Sequence, residues 1–265
     1  MSSLNSVLAQ CRELAFQAGV EIMRYYRRDA SVTFKSDSSP LTEADSASHH
    51  FLVKKLPALL DGVPVISEES LEPGAHSTEG KPRFWLVDPL DGTKEFVKGT
   101  NEFTVNIALI EDSQPVLGVV HAPALGLTYF AAKSLGAWRE SSGQAAIPIA
   151  TRPADLSHIT VVASKDHAGP MVAALLARLS EPALQSMGSS LKFCLVAEGR
   201  ADLYLRDLPT MEWDTAAAQC VAETAGGSVC TLDGRPLAYG KPDLRNPAVI
   251  ATGDPQLDWA ALIAT

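Results

Sequence analysis

The sequence predicts a mixed α/β protein of two packed units, an α+β unit over residues 1–150 and an α/β unit over 151–265. Three observations carry this. Apolar residues recur at helical spacing over the first 28 positions. Residues 103–139 hold apolar runs broken by turn residues, the pattern of hairpins. Beyond Thr151-Arg152-Pro153-Ala154-Asp155, short apolar strands alternate with helix-like stretches, as in an α/β layer.

The 265 residues are 46% hydrophobic and 20% charged, enough apolar material to bury a core. No apolar run approaches the roughly 20 residues that span a bilayer, so no integral membrane segment is expected. The N-terminus shows no basic segment followed by an apolar core and a cleavage site. Cys11, Cys194, Cys220 and Cys230 form no Cys-x-x-Cys pair and read as reduced, mostly buried thiols of a cytoplasmic protein. A net charge of −9 argues against a nucleic-acid polymer as partner, which would call for a basic face.

Taken in order, residues 4–28 read as one long helix. Leu4, Val7, Leu8, Cys11, Leu14, Ala15, Ala18, Ile22 and Tyr25 share a face that needs only a core to explain it. Residues 31–34 read as a short strand and 35–40 as a polar loop. A second helix starts at Thr42 and runs to residue 60. Asp45, three residues after Thr42, completes a capping box with Asp in place of Glu or Gln. Asp45 thus reads as a cap, or as a carboxylate that orients a water or hydroxyl; the cap is the simpler reading. His49 and His50 lie in this helix with no further ligand type at metal spacing, and no role is assigned to them. Residues 63–66 form an apolar strand that ends in Ser67-Glu68-Glu69-Ser70, followed by a surface loop over 71–82 rich in Pro and Gly. Residues 103–110 and 115–121 pair as a hairpin, with further strands over 127–131 and 136–139. In the second unit the strands fall at 158–163, 183–187 and 201–205. The helices fall at 170–179, from Ser189-Ser190 to 198, and at 214–225 with a Gly226-Gly227 stop.

The chemistry centres on Trp85-Leu86-Val87-Asp88-Pro89-Leu90-Asp91-Gly92-Thr93-Lys94-Glu95-Phe96. The apolar run 84–87 reads as a buried strand that delivers Asp88 to its end, where Pro89 stops the ladder. Asp91 follows three residues on, and Gly92-Thr93 opens a turn or helix whose N–H groups suit an anion. Two acids at a strand mouth suit a hard cation such as Mg²⁺, which prefers oxygen ligands and keeps room for phosphate. An ordinary Asp-Pro, Asp-Gly turn explains the same residues. Glu68 ends a second buried strand nearby. Far downstream, Asp214 sits at the N-cap or first turn of a helix of small residues; a cap is the plain reading, while the small flanking residues would also let that helix pack closely and hold Asp214 against the first half.

Taken together, Asp88-Pro-Leu-Asp91-Gly-Thr93, the preceding Glu68-Glu69 and the distant Trp213-Asp214-x-Ala-Ala resemble the lithium-sensitive, Mg²⁺-dependent phosphatase superfamily. That superfamily holds inositol monophosphatases, fructose-1,6-bisphosphatases and 3'(2'),5'-bisphosphate nucleotidases. Three stretches are similar to the bacterial bisphosphate nucleotidase (CysQ) family: 92–96 after Asp91, Asn101-Glu102-Phe103-Thr104-Val105-Asn106-Ile107, and Gly188-Ser189-Ser190-Leu191-Lys192-Phe193-Cys194. One departure is Ala218, where that pattern commonly has Gly; the added methyl removes no ligand.

The resemblance implies an αβαβα layered sandwich of the inositol monophosphatase and fructose-1,6-bisphosphatase type. It also implies that Glu68, Asp88, Asp91, Asp214 and the Leu90 carbonyl hold two or three Mg²⁺ ions, with Asp88 bridging two. Asp45 and Thr93, with Glu68, would polarise the attacking water, and Lys35 would lie at the rim. Gly92, Thr93, Ser189, Lys192 and Arg206 would meet the substrate; a helix cap, a solvated lysine and a strand-end arginine are the plain readings of the last three. The implied reaction removes the 3'-phosphate of 3'-phosphoadenosine 5'-phosphate. Metal binding would also explain how so acidic a chain attracts a polyanion. The family is linked to the inner membrane surface as a peripheral location, but no basic amphipathic helix that would anchor this chain is present. Two alternatives stand beside this: a phosphatase for inositol or another sugar phosphate, sharing every metal ligand, and a catalytically silent binder of metal or nucleotide. No ligand is missing from the sequence, which speaks against the silent binder.

Overall fold

Ser3 caps the first helix, α1 (Leu4–Met23), by accepting the Ser6 N–H. The computed structural model describes residues 3–27, 32–34, 40–70, 81–163, 169–179, 181–257 and 259. The expected apolar stripe is the buried face: Val7, Leu8, Cys11, Ala15, Ala18 and Ile22. The helix ends at Met23, short of residue 28. Tyr26 instead packs between Phe96 and Phe103 and gives its hydroxyl proton to Asn101, and Arg27 turns into the left-handed region. Strands β1 (Val32–Phe34) and β2 (Pro40–Thr42) pair antiparallel, and α2 (Glu43–Lys55) follows. It stops before residue 60 because Pro57 cannot donate to the helix ladder, and the chain tightens to a 3-10 turn over Leu56–Ala58.

The first sheet runs in sequence order: β3 (Val65–Ser67), β4 (Arg83–Asp91), then, after the short helix α3 (Thr93–Lys98), β5 (Thr104–Glu111), β6 (Gln114–Ala122), β7 (Leu127–Ala132), β8 (Gly136–Ser141) and β9 (Ile147–Pro148). The β3–β4 pair is parallel and the others are antiparallel. The β5–β6 hairpin turns through Asp112 and Ser113, both at positive φ, as a two-residue turn that matches strand twist requires.

Residues 151–265 contribute β10 (Thr160–Ala163), α4 (Pro170–Leu176), β11 (Ala183–Ser186), α5 (Leu191–Ala197), β12 (Leu203–Arg206), β13 (Thr210–Met211), α6 (Glu212–Thr224), β14 (Ser228–Thr231), β15 (Arg245–Asn246) and β16 (Val249–Thr252). Five of these strands form a sheet in the order β11-β10-β12-β16-β14. Strands beyond residue 225 were not expected from the sequence, where short runs such as Ser228-Val229-Cys230-Thr231 carry little pattern.

The layers follow from which side chains face where. Trp85, Val87, Ile107 and Val119 pack under α1, whereas Phe84, Leu86, Ala108 and Val120 join a core with α5, α6 and the second sheet. Strand β4 is therefore apolar on both faces, which is why 84–87 reads as one continuous run. On the far side, α4 covers Val161, Leu203 and Ile250. The order is α1/α2, first sheet, α5/α6, second sheet, α4: the layered αβαβα sandwich. Helix α6 lies close on the first sheet because β6 carries Gly118 there. A Cβ at that position would stand 2.3 Å from the Ala217 carbonyl oxygen.

His121, on β6, is buried, with Nδ1 2.9 Å from Thr128 Oγ1. Burial pulls its pKa down to about 4, which Leu127 and Glu140 only partly oppose. The folded state thus favours neutral imidazole, while the unfolded chain titrates near 6.5. Stability from this group is present above pH ~6.5 and lost as pH falls toward 4. Denaturation at pH 7 and pH 4.5 checks this: His121→Gln should reduce the acid-induced loss by on the order of 2 kcal/mol. Parallel pH profiles for the two proteins would contradict it.

Candidate active site

Strand β4 does not end at Pro89, as the sequence suggested; it continues to Asp91 through a bulge. Asp88 pairs with Asn106 and Asp91 with Thr104, so three steps along β4 oppose two along β5. In a regular strand, residues three apart point to opposite faces. The extra residue cancels that alternation. Asp88 and Asp91 both reach the face that Leu86 and Ala108 share, toward α5 and α6. The bulge is pinned from both sides: Ser48 on α2 donates to the Pro89 carbonyl at 2.8 Å, and the Leu90 N–H donates to Asp88 Oδ1 at 3.0 Å. The proline costs no ladder bond where the ladder already opens.

The other acids arrive from neighbouring elements. Glu68 follows Ser67, which is in register with Val87, so the ends of β3 and β4 place Glu68 beside Asp88. Asp214 lies in the first turn of α6, as its third residue, where its Oδ2 accepts the N–H of the N-cap residue Met211 at 2.8 Å. Asp45 satisfies both of its readings at once. Oδ2 accepts from the Thr42 N–H (2.8 Å) and hydroxyl (2.5 Å), which is the cap, while Oδ1 accepts from Thr93 Oγ1 at 3.2 Å. Thr93 Oγ1 also lies 3.3 Å from the Leu90 carbonyl oxygen.

The field at the centre is strongly negative. Burial drives the Asp88 carboxyl well above the usual carboxylate range, and Glu68, Asp91, Asp214 and Asp45 each push it further. Asp214 is raised by burial, Asp91 and Glu68, against relief from the Met211 N–H and Arg206. The four other acids thus all act on Asp88. Among the described residues, no three His, Cys, Asp or Glu side chains stand close enough to form a closed ligand set. The donor chemistry nonetheless fits a hard divalent cation: the converging groups are carboxylates, with the Leu90 carbonyl between them.

Next to the acids lies a cavity of about 200 Å³, whose lining includes Asp91, Gly92, Asp214, Ser189, Lys192 and Arg206. Gly92 begins α3 at φ 88, a conformation that favours glycine, with the Glu102 carbonyl 3.2 Å from where a Cβ would stand. Lys192 is no solvated lysine. Helix α5 is buried along its whole length, and Lys192 Nζ donates to the Ser189 carbonyl at 2.5 Å and sits 5.5 Å from the Tyr204 ring centroid. Burial lowers its pKa, which Asp91 opposes and Arg206 reinforces. Arg206, half-buried at the end of β12, donates through Nε to the Leu208 carbonyl. Lys35 lies outside the described residues.

Several groups at the site carried no sequence assignment. Lys94, Glu95 and Tyr204 line the cavity. Thr104 and Asn106 stand behind Asp91, and the signal for them was present: two buried polar residues on one face of an otherwise apolar strand. The four cysteines are free thiols, three of them buried. Among the described residues, no helix is long and apolar enough to cross a membrane.

Comparison with known proteins adds three findings. The model of the inositol monophosphatase family matches residues 3–264. The chain is 46% identical over 235 residues to the 3'(2'),5'-bisphosphate nucleotidase CysQ of Escherichia coli (strain K12), covering 88% of this chain and 94% of that one. It is 34% identical to the protein of the same name from Haemophilus influenzae, over 99% of this chain and 98% of the other. Among solved structures, CysQ from Bacteroides thetaiotaomicron, a bacterial member of the inositol monophosphatase family, superposes with a TM-score of 0.80 at 37% identity. That match covers 94% of this chain and 97% of the other.

Proposed function

Because the chain belongs to the inositol monophosphatase family, we propose that it is a 3'(2'),5'-bisphosphate nucleotidase that hydrolyses 3'-phosphoadenosine 5'-phosphate to AMP and phosphate. The family is one of metal-dependent phosphatases. The observation that carries the substrate reading is the cavity itself. Its lining combines two acids, Asp91 and Asp214, with two cations, Lys192 and Arg206. A substrate with one phosphate to cleave and a second to hold suits a lining of both kinds.

In this reading Glu68, Asp88, Asp91, Asp214 and the Leu90 carbonyl hold Mg²⁺, two or three ions per site. Bound there, Mg²⁺ neutralises phosphate charge and lowers the pKa of water. The residues of the chain do the rest. Thr93 gives its proton to Asp45 Oδ1, so its free lone pairs accept a hydrogen from the attacking water and aim the water's oxygen at phosphorus. As the water oxygen bonds to phosphorus, the bond to the ribose 3'-oxygen breaks. The water proton passes to Thr93 as Thr93 passes its own to Asp45; the departing 3'-oxygen takes a proton from solvent water, and the resulting hydroxide is neutralised by the proton Asp45 then releases. The N–H groups at the start of α3 offer donors to the phosphate oxygens. A cytoplasmic location belongs to the same reading, as does inhibition by millimolar Li⁺.

Phosphate release from 3'-phosphoadenosine 5'-phosphate against inositol 1-phosphate, with and without Mg²⁺, tests the assignment. A bidentate contact between Arg and phosphate is worth roughly 1.5–3 kcal/mol, so the nucleotide should be favoured at least about tenfold in kcat/KM. Equal turnover of both would contradict the nucleotide reading and leave a general phosphatase. Arg206→Ala is the cleaner probe of the second phosphate, because Lys192 also supports the Ser189 turn. It should raise KM for the nucleotide about tenfold or more, well beyond any change for inositol 1-phosphate. Equal losses on both substrates would remove Arg206 from substrate recognition.

A further inference from the structure

Thr104 and Asn106 take no part in the mechanism above, yet they are fully buried on the sheet face that carries Asp88 and Asp91. Opposite them the chain turns through Gly188-Ser189-Ser190, with Ser189 at φ 56. A non-glycine residue stays in that conformation only where its surroundings hold it. Gly188 is fitted just as closely: a Cβ there would stand 2.8 Å from the Glu102 carbonyl oxygen and 2.9 Å from Glu95 Cγ.

The hydroxyls form a network between strand and turn. Thr104 Oγ1 lies 2.5 Å from Ser189 Oγ and 2.9 Å from Ser190 Oγ. Ser190 gives its proton to Asn106 Oδ1 at 2.8 Å. Ser189 gives its own to Asp91 Oδ2 at 2.5 Å, and the Ser190 backbone N–H donates to the same oxygen at 2.6 Å. Each hydroxyl has one proton. Ser190 thus ties the turn back to Asn106 on the strand, and Thr104 Oγ1 and Asn106 Nδ2 also reach Asp91 Oδ2 directly, each at 3.4 Å, so strand and turn converge on one carboxylate oxygen. The turn also carries the Ser189 carbonyl that Lys192 Nζ grips, so the phosphate-side lysine and Asp91 share one support.

The geometry points to Thr104 and Asn106 as positioning residues: they hold the Ser189–Ser190 turn, which fixes Asp91 through Oδ2 and presets Oδ1 as its metal-binding oxygen. This rests on the reading of Asp91 as a metal ligand. A cluster that merely satisfied buried polar groups would affect melting temperature and nothing at the metal.

Mn²⁺ titration of the full-length protein, followed by electron paramagnetic resonance without substrate, separates the two. Removing such a support typically weakens metal binding by about 10–100-fold. Thr104→Val should weaken Mn²⁺ binding by about tenfold and raise the Mg²⁺ concentration for half-maximal phosphate release in step. Thr104→Ser, which keeps the hydroxyl, should restore both. Ser190→Ala serves as a second variant should Thr104→Val fold poorly, because it removes the Asn106 anchor and keeps the backbone N–H. Wild-type Mn²⁺ affinity in either folded variant would overturn the proposal. Asp91→Asn is the separate control: if it binds Mn²⁺ like the wild type, the metal-ligand reading itself falls, and this proposal with it.

Discussion

Asp88→Asn should lower phosphate release from 3'-phosphoadenosine 5'-phosphate by about 10³-fold or more and leave the protein folded. The size follows from position. Asp88 is the acid on which Glu68, Asp91, Asp214 and Asp45 all act, so the charge it contributes to a cation site has no substitute nearby. Losing one close ligand of a divalent ion removes several kcal/mol of transition-state stabilisation, and each 1.4 kcal/mol is about tenfold in rate. The fold survives because Asn keeps the shape and can still accept the Leu90 N–H through Oδ1. It also takes away a buried charge that four neighbours repel, so in the presence of a chelator the variant should unfold no earlier than the wild type. Steady-state kinetics and a chelator-treated melt check the two halves. Near-normal turnover would contradict the chemistry, and early melting would mean that Asp88 is structural.

Thr93→Ala should reduce kcat by about 10²–10⁴-fold, the range for losing one member of a proton-transfer pair. Its hydroxyl is the group that links Asp45 Oδ1 to the space beside Leu90. Without it, Asp45 still caps α2 through Oδ2, so helix and fold remain. Thr93→Ser retains the oxygen and should recover most of the rate. Rates for the three proteins at saturating Mg²⁺ check this. A kcat in Thr93→Ala close to that of the wild type would mean that the water is activated without the Asp45–Thr93 pair.

Much of this was legible in the sequence where the signal was local. The α1 stripe, the Thr42–Asp45 box and the apolar run before Asp88 rest on spacing along one element, and each lies where spacing predicts. Neighbouring strands ending in Glu68 and Asp88 could be read as a shared site, because β3 and β4 turned out to pair in parallel. Whatever depended on a partner strand or helix was not legible. Pro89 read as a ladder stop because the bulge exists only against β5, where Asn106 and Thr104 set the count. Asp214 read as a cap because its approach to Asp91 depends on α6 lying against Gly118. Lys192 read as solvated or substrate-bound, since nothing local shows that α5 is packed on every side. The layered architecture came from the resemblance of spaced motifs rather than from periodicity, and the family and structural matches bear it out.

Anomalous diffraction at the manganese edge, from crystals soaked in Mn²⁺, addresses the metal cage directly. Peaks bounded by Glu68, Asp88, Asp91 and Asp214 are the result the carboxylate geometry predicts. Density for Mn²⁺ elsewhere, with those four acids left bare at saturating metal, would contradict it.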